Sequence, residues 1–182
     1  MVARAGPDSL GYAESMRVIV RSAIVVACCG CGDKDFSPEE LCAGAGEVSV
    51  ELGHGTGADF TAFEAGEDVD IAIAPQGGYG VNVRVMTLGL VANNAVTLEL
   101  SSTHLGESTG SFNWGEIPLY CLDDGHGLLW GAVVPFDPEL FPDVESLSAL
   151  DGEPIHMSVE LVDAEGVRGS GAADVVAHLR EQ

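Results

Sequence analysis

Residues 67–90 constrain the fold of this chain more than any other stretch. They read EDVDIAIAPQGGYGVNVRVMTLGL, and apolar and polar side chains alternate on both sides of a Pro-Gln-Gly-Gly turn. Alternation with a period of two is typical of a β-strand with one buried face. Pro75 has a fixed φ, and Gly77 and Gly78 tolerate the positive φ that a tight reversal requires. The stretch therefore predicts the central β-hairpin of an all-β domain.

Similar short alternating segments recur along the rest of the body. Turn residues separate them, residues 105–110 look like a loop, and no periodic pattern is long enough for a helix of more than two turns. Pro118 interrupts the strand material of residues 112–122 and predicts an edge strand or a bulge. We therefore expect an all-β sandwich of about seven to nine antiparallel strands.

The charge balance excludes one large class of partners. The chain has 7 Lys and Arg against 29 Asp and Glu, a formal net charge of -22. Nucleic-acid binding requires a basic surface, so we expect no nucleic acid among the partners. The same charge disfavours direct adsorption to anionic lipid. A solvated acidic surface is the ordinary explanation of such a balance, and a cation-binding surface is the alternative.

Residues 16–35 combine basic, apolar and small residues in the order MRVIVRSAIVVACCGCGDKD. This segment resembles a bacterial lipoprotein signal peptide. Val25-Val26-Ala27-Cys28 matches the lipobox pattern, and Cys31 ends a second frame. The resemblance implies cleavage before Cys28, or alternatively Cys31, and lipid modification of that cysteine. Acyl chains anchor a protein to a bilayer, so the expected location is the bacterial cell envelope, on the extracytoplasmic side.

The signal segment also divides the chain into regions. We expect an N-terminal extension with the signal peptide in residues 1–31, a tether in residues 32–46 and the β-sandwich in residues 47–182. Residues 1–15 do not look like part of a signal, and translation starting at Met16 would explain them. The alternative is a cytosolic protein in which the apolar run forms a short buried helix.

The cysteines outside the signal segment are Cys42 and Cys121. In an exported protein they would form one disulfide, and two separate buried thiols are equally compatible with the sequence. The N-terminal cysteine cluster does not match a zinc site, because a second pair of ligands at the usual spacing is missing.

Two features of the body resemble known domains. The hairpin predicted for residues 154–180 resembles the closing strands of immunoglobulin-like and fibronectin-like domains. The PQGG-type hairpin is similar to a recurrent element of uncharacterised bacterial lipoproteins that contain such domains. The resemblance implies an immunoglobulin-like β-sandwich and carries no known activity. The Trp and Cys spacing of antibody domains is absent from the chain.

Acidic and histidine-containing loops are the candidate metal sites. Asp123, Asp124, Asp137 and Glu139 place oxygen ligands in turns, as irregular calcium sites do, although Asp is also common in turns for local hydrogen bonding. His54 and His126 lie in Gly-flanked loops and could bind a transition metal with Asp123 or Asp124. Solvated loop histidines are the alternative. We expect no resident cofactor other than possible calcium.

Two further patterns bear on activity. Residues 106–110 match G-x-S-x-G, but the segment after Ser108 looks like a strand, whereas a nucleophile elbow requires a helix. Four aromatic residues could line a sugar-binding face or fill the core; these are Tyr79, Trp114, Tyr120 and Trp130.

The sequence therefore favours a non-enzymatic, lipid-anchored envelope protein. Its β-sandwich would bind an extracytoplasmic protein or glycan through loops at the end of the sandwich or through an exposed strand edge. One alternative is a secreted metal-dependent hydrolase that uses His54, His126 and Asp124. A structural accessory module of an envelope complex is the other.

Overall fold

The computed structural model of the protein describes residues 42–44, 46–73 and 77–180. The proposed lipidation sites Cys28 and Cys31 lie outside the described residues. Pro75, which the sequence predicts for the turn of the central hairpin, also lies outside them. Among the described residues, no helix is both long enough and apolar enough to cross a membrane.

The described residues form ten β-strands and one four-residue helix, so the all-β prediction is confirmed. The strands are β1 (Ser49–His54), β2 (Thr61–Ala62), β3 (Glu67–Ile73), β4 (Tyr79–Leu88), β5 (Ala95–His104), β6 (Glu107–Pro118), β7 (Tyr120–Cys121), β8 (Gly127–Phe136), β9 (Glu153–Val162) and β10 (Arg168–Leu179). Helix α1 (Val144–Leu147) precedes a 3-10 turn at Ser148–Leu150, and the carboxylate of Asp143 caps its N-terminus.

The predicted central hairpin is present as β3 and β4. Ile71 lies opposite Val81, and Ile73 lies opposite Tyr79. The valines of both strands and Ile71 point into the core, which is why these two segments fold as strands, whereas Ile73 at the end of β3 is exposed. β4 also pairs with β1 and β8, so it joins three neighbours of the sheet.

The strand directions differ from the expected all-antiparallel arrangement. The main path of the sheet is β2-β1-β4-β3-β10-β9-β5-β6, and β8 connects β4 with β7. β10 pairs antiparallel with β9 but parallel with β3, with Val175 opposite Glu67. Alternation shows which face of a strand is buried and carries no information about the direction of its neighbour. The prediction of only antiparallel strands was therefore wrong. The described strands number ten, whereas seven to nine were expected.

The expected loop at residues 105–110 is also mostly strand. Leu105 and Gly106 both have positive φ and form a two-residue turn, and β6 begins at Glu107. The sequence does not show the alternation of apolar and polar residues here, because a buried position of the strand is occupied by the polar residue Thr109. Its hydroxyl forms a hydrogen bond with Ser102 inside the fold. The G-x-S-x-G pattern thus spans a turn and a strand.

The inner face of β1 packs directly across β10. A Cβ atom at Gly169 would lie 2.6 Å from a methyl carbon of Val50, and one at Gly171 would collide with the carbonyl oxygen of Val50. Glycine at these two positions therefore allows the two strands to approach closely. The large buried side chains around this contact form one hydrophobic cluster, which includes Leu52, Val85, Leu98, Leu129 and Leu161.

Replacing Gly171 with alanine is expected to destabilise the fold by about 1–3 kcal/mol, because the added methyl group meets backbone that cannot move without shifting β1. Urea denaturation measures the change. Ser170→Ala is the matched control, since Ser170 is exposed on the adjacent position of β10, and it is expected to change stability by less than about 0.5 kcal/mol. Equal effects of the two variants would contradict the proposed close contact.

Candidate functional site

Strands β6 and β8 are joined at two places and separate between them. At one end the Asp137 N–H donates to the Thr109 carbonyl at 2.7 Å. At the other end β7, which follows β6, pairs with the start of β8. Between these points β6 pairs only with β5 and β8 only with β4, within the part of the chain that the structure describes. This separation leaves room for a groove along the outer edge of β6.

The groove has a volume of about 570 Å³. Its walls are β6, the end of β8 with the residues after it, and the start of β4 with the two glycines before it. A cavity of about 300–1,000 Å³ is typical of small-molecule sites. The lining residues are Gly77, Gly78, Tyr79, Ser108, Gly110, Ser111, Phe112, Trp114, Val133, Pro135, Phe136, Asp137 and Pro138.

Aromatic rings dominate the β6 wall of the groove. Phe112 is 47% exposed, and its ring meets the half-buried ring of Trp114 edge-to-face at a centroid distance of 6.1 Å. Tyr79 lines the groove from β4 and packs partly against the core. The groove therefore combines one exposed ring with two rings that the fold holds in place.

A β-bulge sets the position of Trp114. Leu98 pairs with Gly115 and Glu99 with Asn113, so Trp114 is the extra residue of β6. Gly115 has φ +61°, and its N–H donates to the side-chain oxygen of Asn113 at 2.8 Å. Bulges turn a side chain away from the regular face of a strand and occur often beside binding sites.

Buried hydroxyl groups hold the closed end of the groove. The Ser102 hydroxyl donates to the Pro135 carbonyl at 3.0 Å, and the Thr109 hydroxyl donates to the Ser102 oxygen at 2.8 Å. A Cβ at Gly110 would collide with the same Pro135 carbonyl, so the two strands touch there. These contacts make the wall a fixed part of the sheet.

The polar groups of the groove are short. Ser108 and Ser111 contribute hydroxyls, and both residues are exposed. Asp137 contributes a carboxylate, one oxygen of which accepts the Glu139 N–H at 2.8 Å. Among the described lining residues, Asp137 is the one with a carboxylate, and none is Lys or Arg.

The candidate metal ligands have separate partners. His54 Nε2 lies 3.0 Å from Glu67 Oε1, whereas His126 Nδ1 lies 3.1 Å from Asp124 Oδ1. In the described residues no three His, Cys, Asp or Glu side chains are grouped so that they could hold a metal ion. Asp124 therefore lies beside His126, whereas His54 contacts Glu67 instead.

The loop carboxylates form local hydrogen bonds. Asp124 Oδ1 accepts the backbone N–H of His126 at 3.1 Å, and the imidazole Nδ1 is close to the same oxygen without an aligned hydrogen bond. Burial alone would raise the pKa of Asp124, but the backbone N–H and imidazole of His126 lower it below its usual value. The backbone N–H and hydroxyl of Ser146 likewise lower the pKa of Asp143. These contacts match the turn chemistry that Asp favours.

The four aromatic residues predicted for a sugar-binding face divide into two places. Tyr79 and Trp114 line the groove. Tyr120 and Trp130 stack on each other outside it, with ring centroids 4.4 Å apart and planes 16° apart. Trp130 precedes Gly131, which has φ +68°, at a second bulge where β8 meets β4. Sequence reasoning missed Phe112, although its spacing of two from Trp114 in a predicted strand is the signal that could have found it.

A disulfide joins Cys42 to Cys121, with their Cα atoms 5.9 Å apart. Cys42 is buried, and the neighbouring Ala43 forms an isolated bridge with Val91. Residues 42–44 therefore attach to the sheet at β7 and at the connection between β4 and β5.

Comparison with known proteins found no family model that matches the chain and no curated protein that matches its sequence.

Proposed function

We propose that the protein is a non-enzymatic, lipid-anchored protein of the bacterial cell envelope, whose immunoglobulin-like β-sandwich binds an extracytoplasmic partner. The Cys42–Cys121 disulfide is the observation that carries this proposal. Cytosolic thiols are kept reduced, whereas disulfides persist in exported proteins. The disulfide thus supports export independently of the lipobox-like sequence that ends at Cys28.

The length of the proposed tether supports anchoring close to the bilayer. About 14 residues separate Cys28 from Cys42, and a fully extended chain of that length spans at most about 50 Å. Acyl chains on Cys28 would hold the domain within that distance of the membrane. The acidic domain itself would be repelled by anionic lipid, so the acyl chains and not the domain surface would provide the attachment.

The sandwich assignment is supported by strand packing. Successive hairpins connect β3 with β4, β5 with β6 and β9 with β10, and the inner face of β1 covers β10. Two layers that share one hydrophobic core are the arrangement expected of an aligned sandwich.

The binding role is supported by the groove beside β6. Aromatic side chains that line a concave surface with a rigid wall are typical of sites that bind ligands. The exposed ring of Phe112 contributes apolar area that would be covered when a ligand is bound.

Intact mass spectrometry of the protein purified from its native host tests the proposal. We expect a chain that begins at Cys28, carries acyl groups and is two hydrogens lighter than the reduced form. The Cys28→Ser variant should remain unprocessed and lose its acyl groups, while Cys31→Ser should be processed normally. An unprocessed and fully reduced wild-type chain would overturn anchoring and export together.

A further inference from the structure

We infer that the groove between β6 and β8 is a binding site for a neutral, hydroxyl-rich glycan, with Phe112 and Trp114 as the stacking surface. This inference rests on the proposed function, because it names the ligand class of the same groove.

The first argument is the exposed aromatic surface. Phe112 is nearly half exposed, yet it sits in a concave wall and contacts Trp114 edge-to-face. The apolar C–H face of a pyranose sugar can stack on the aromatic ring of Phe112, while the sugar hydroxyls remain available for hydrogen bonds. Tyr79, on the other wall, adds an aromatic body with a polar tip.

The second argument is the polar complement of the groove. Serine hydroxyls both donate and accept hydrogen bonds, as sugar hydroxyls do. Ser108 and Ser111 lie on the same wall as the aromatic rings, and Asp137 lies at the end of β8. Gly77 and Gly78 expose backbone groups on the other wall, because they have no side chains to cover them.

Charge selects among glycans. Asp137 supplies a negative charge, and within the described lining there is no Lys or Arg to bind a phosphate, sulfate or uronate. The net charge of -22 opposes any anionic ligand as well. Neutral sugars avoid this repulsion.

An extended peptide is the competing occupant, since β6 has an open edge. Two bulges interrupt that strand, one at Thr109 and one at Trp114, and Pro118 has no N–H. A peptide strand added to this edge would lose its regular ladder at each bulge. The edge of β6 is therefore poorly suited to strand addition, and the aromatic wall favours a glycan.

Titration of the full-length protein with soluble tetrasaccharides of glucose, N-acetylglucosamine, mannose and galactose tests the inference, with tryptophan fluorescence and calorimetry as readouts. We expect saturable binding of at least one of these, and no binding of tetragalacturonate. Phe112→Ala should weaken the affinity by about tenfold or more. Trp130→Ala is the matched control, because Trp130 is a similarly exposed aromatic outside the groove, and it should leave the affinity within about twofold.

Ser111→Arg provides a second variant at an exposed position, where a large side chain would fill the groove without entering the core. It should abolish binding while the circular dichroism spectrum stays unchanged. The inference is overturned if no neutral tetrasaccharide binds, if the control weakens binding as much as Phe112→Ala, or if extended peptides bind in place of glycans. A processed, anchored chain that binds no glycan would retain the proposed function and remove only this ligand class.

Discussion

Replacing Asp163 with alanine is expected to lower the free energy of unfolding by about 3–5 kcal/mol. Asp163 follows β9 and is only 6% exposed. Its carboxylate accepts three backbone N–H groups, from Val91 at 3.0 Å, Glu165 at 3.0 Å and Val167 at 2.8 Å. Alanine would leave the half-buried N–H groups of Val91 and Val167 without their acceptor, which costs more than the loss of the bonds alone.

Urea denaturation of Asp163→Ala measures this loss, and two further variants identify its cause. Asp163→Asn retains one carbonyl oxygen for the turn and directs an amide donor toward the Val91 N–H, so it should fall between wild type and alanine. Asp143→Ala removes an exposed carboxylate that caps α1 and should have a clearly smaller effect. Similar losses for Asp143→Ala and Asp163→Ala would show that burial of the Asp163 carboxylate is not decisive.

Removing the disulfide is expected to cost about 2–5 kcal/mol, because Cys42 and Cys121 are 79 positions apart and the bond restricts the unfolded chain strongly. The double variant Cys42→Ala, Cys121→Ala tests this in denaturation experiments without reductant. Alanine keeps the buried Cys42 position apolar, so the comparison reports mainly the cross-link.

A reducing agent provides the control for the disulfide experiment. It should lower the stability of the wild-type protein toward that of the double variant and leave the variant unchanged. If the oxidised wild type and the double variant unfold at the same urea concentration, the cross-link does not contribute to stability. The β7 region would then be held by its pairing with β8 and by hydrogen bonds to the connection between β4 and β5, such as that from the Cys121 N–H to the side-chain oxygen of Asn93.

The parts of the fold that the sequence predicts well are those with strict alternation. β3, β4 and β9 place apolar side chains at alternate positions through most of their length, so their faces and approximate ends follow from the pattern. The start of β6 was missed because Thr109 occupies an inward position and binds Ser102 through its hydroxyl. The parallel pairing of β10 with β3 depends on contacts between distant strands, which no local pattern contains.

The candidate site was predictable only in part for a related reason. Tyr79 and Trp114 were recognised as aromatic candidates, but two different arrangements of the four rings fit the sequence equally well. The bulge at Trp114 and the separation of β6 from β8 determine which rings share the groove. Acidic loops are ambiguous in the same way. Asp124 and Asp137 each accept the N–H of the residue two positions later, as turn residues do. Carboxylates with the same spacing in the sequence also occur as calcium ligands.

The parallel pairing of β3 with β10 has a consequence for the time course of folding. β10 occupies the space between β3 and β9, and Asp68 contacts His178 across 110 positions of the chain. Neither neighbour can complete its hydrogen bonding until β10 has been synthesised, and closing so long a loop costs entropy before the contacts form. Such a chain reaches its native state slowly, over milliseconds to seconds, and the edges of β3 and β9 stay open to other partners until the last strand is in place.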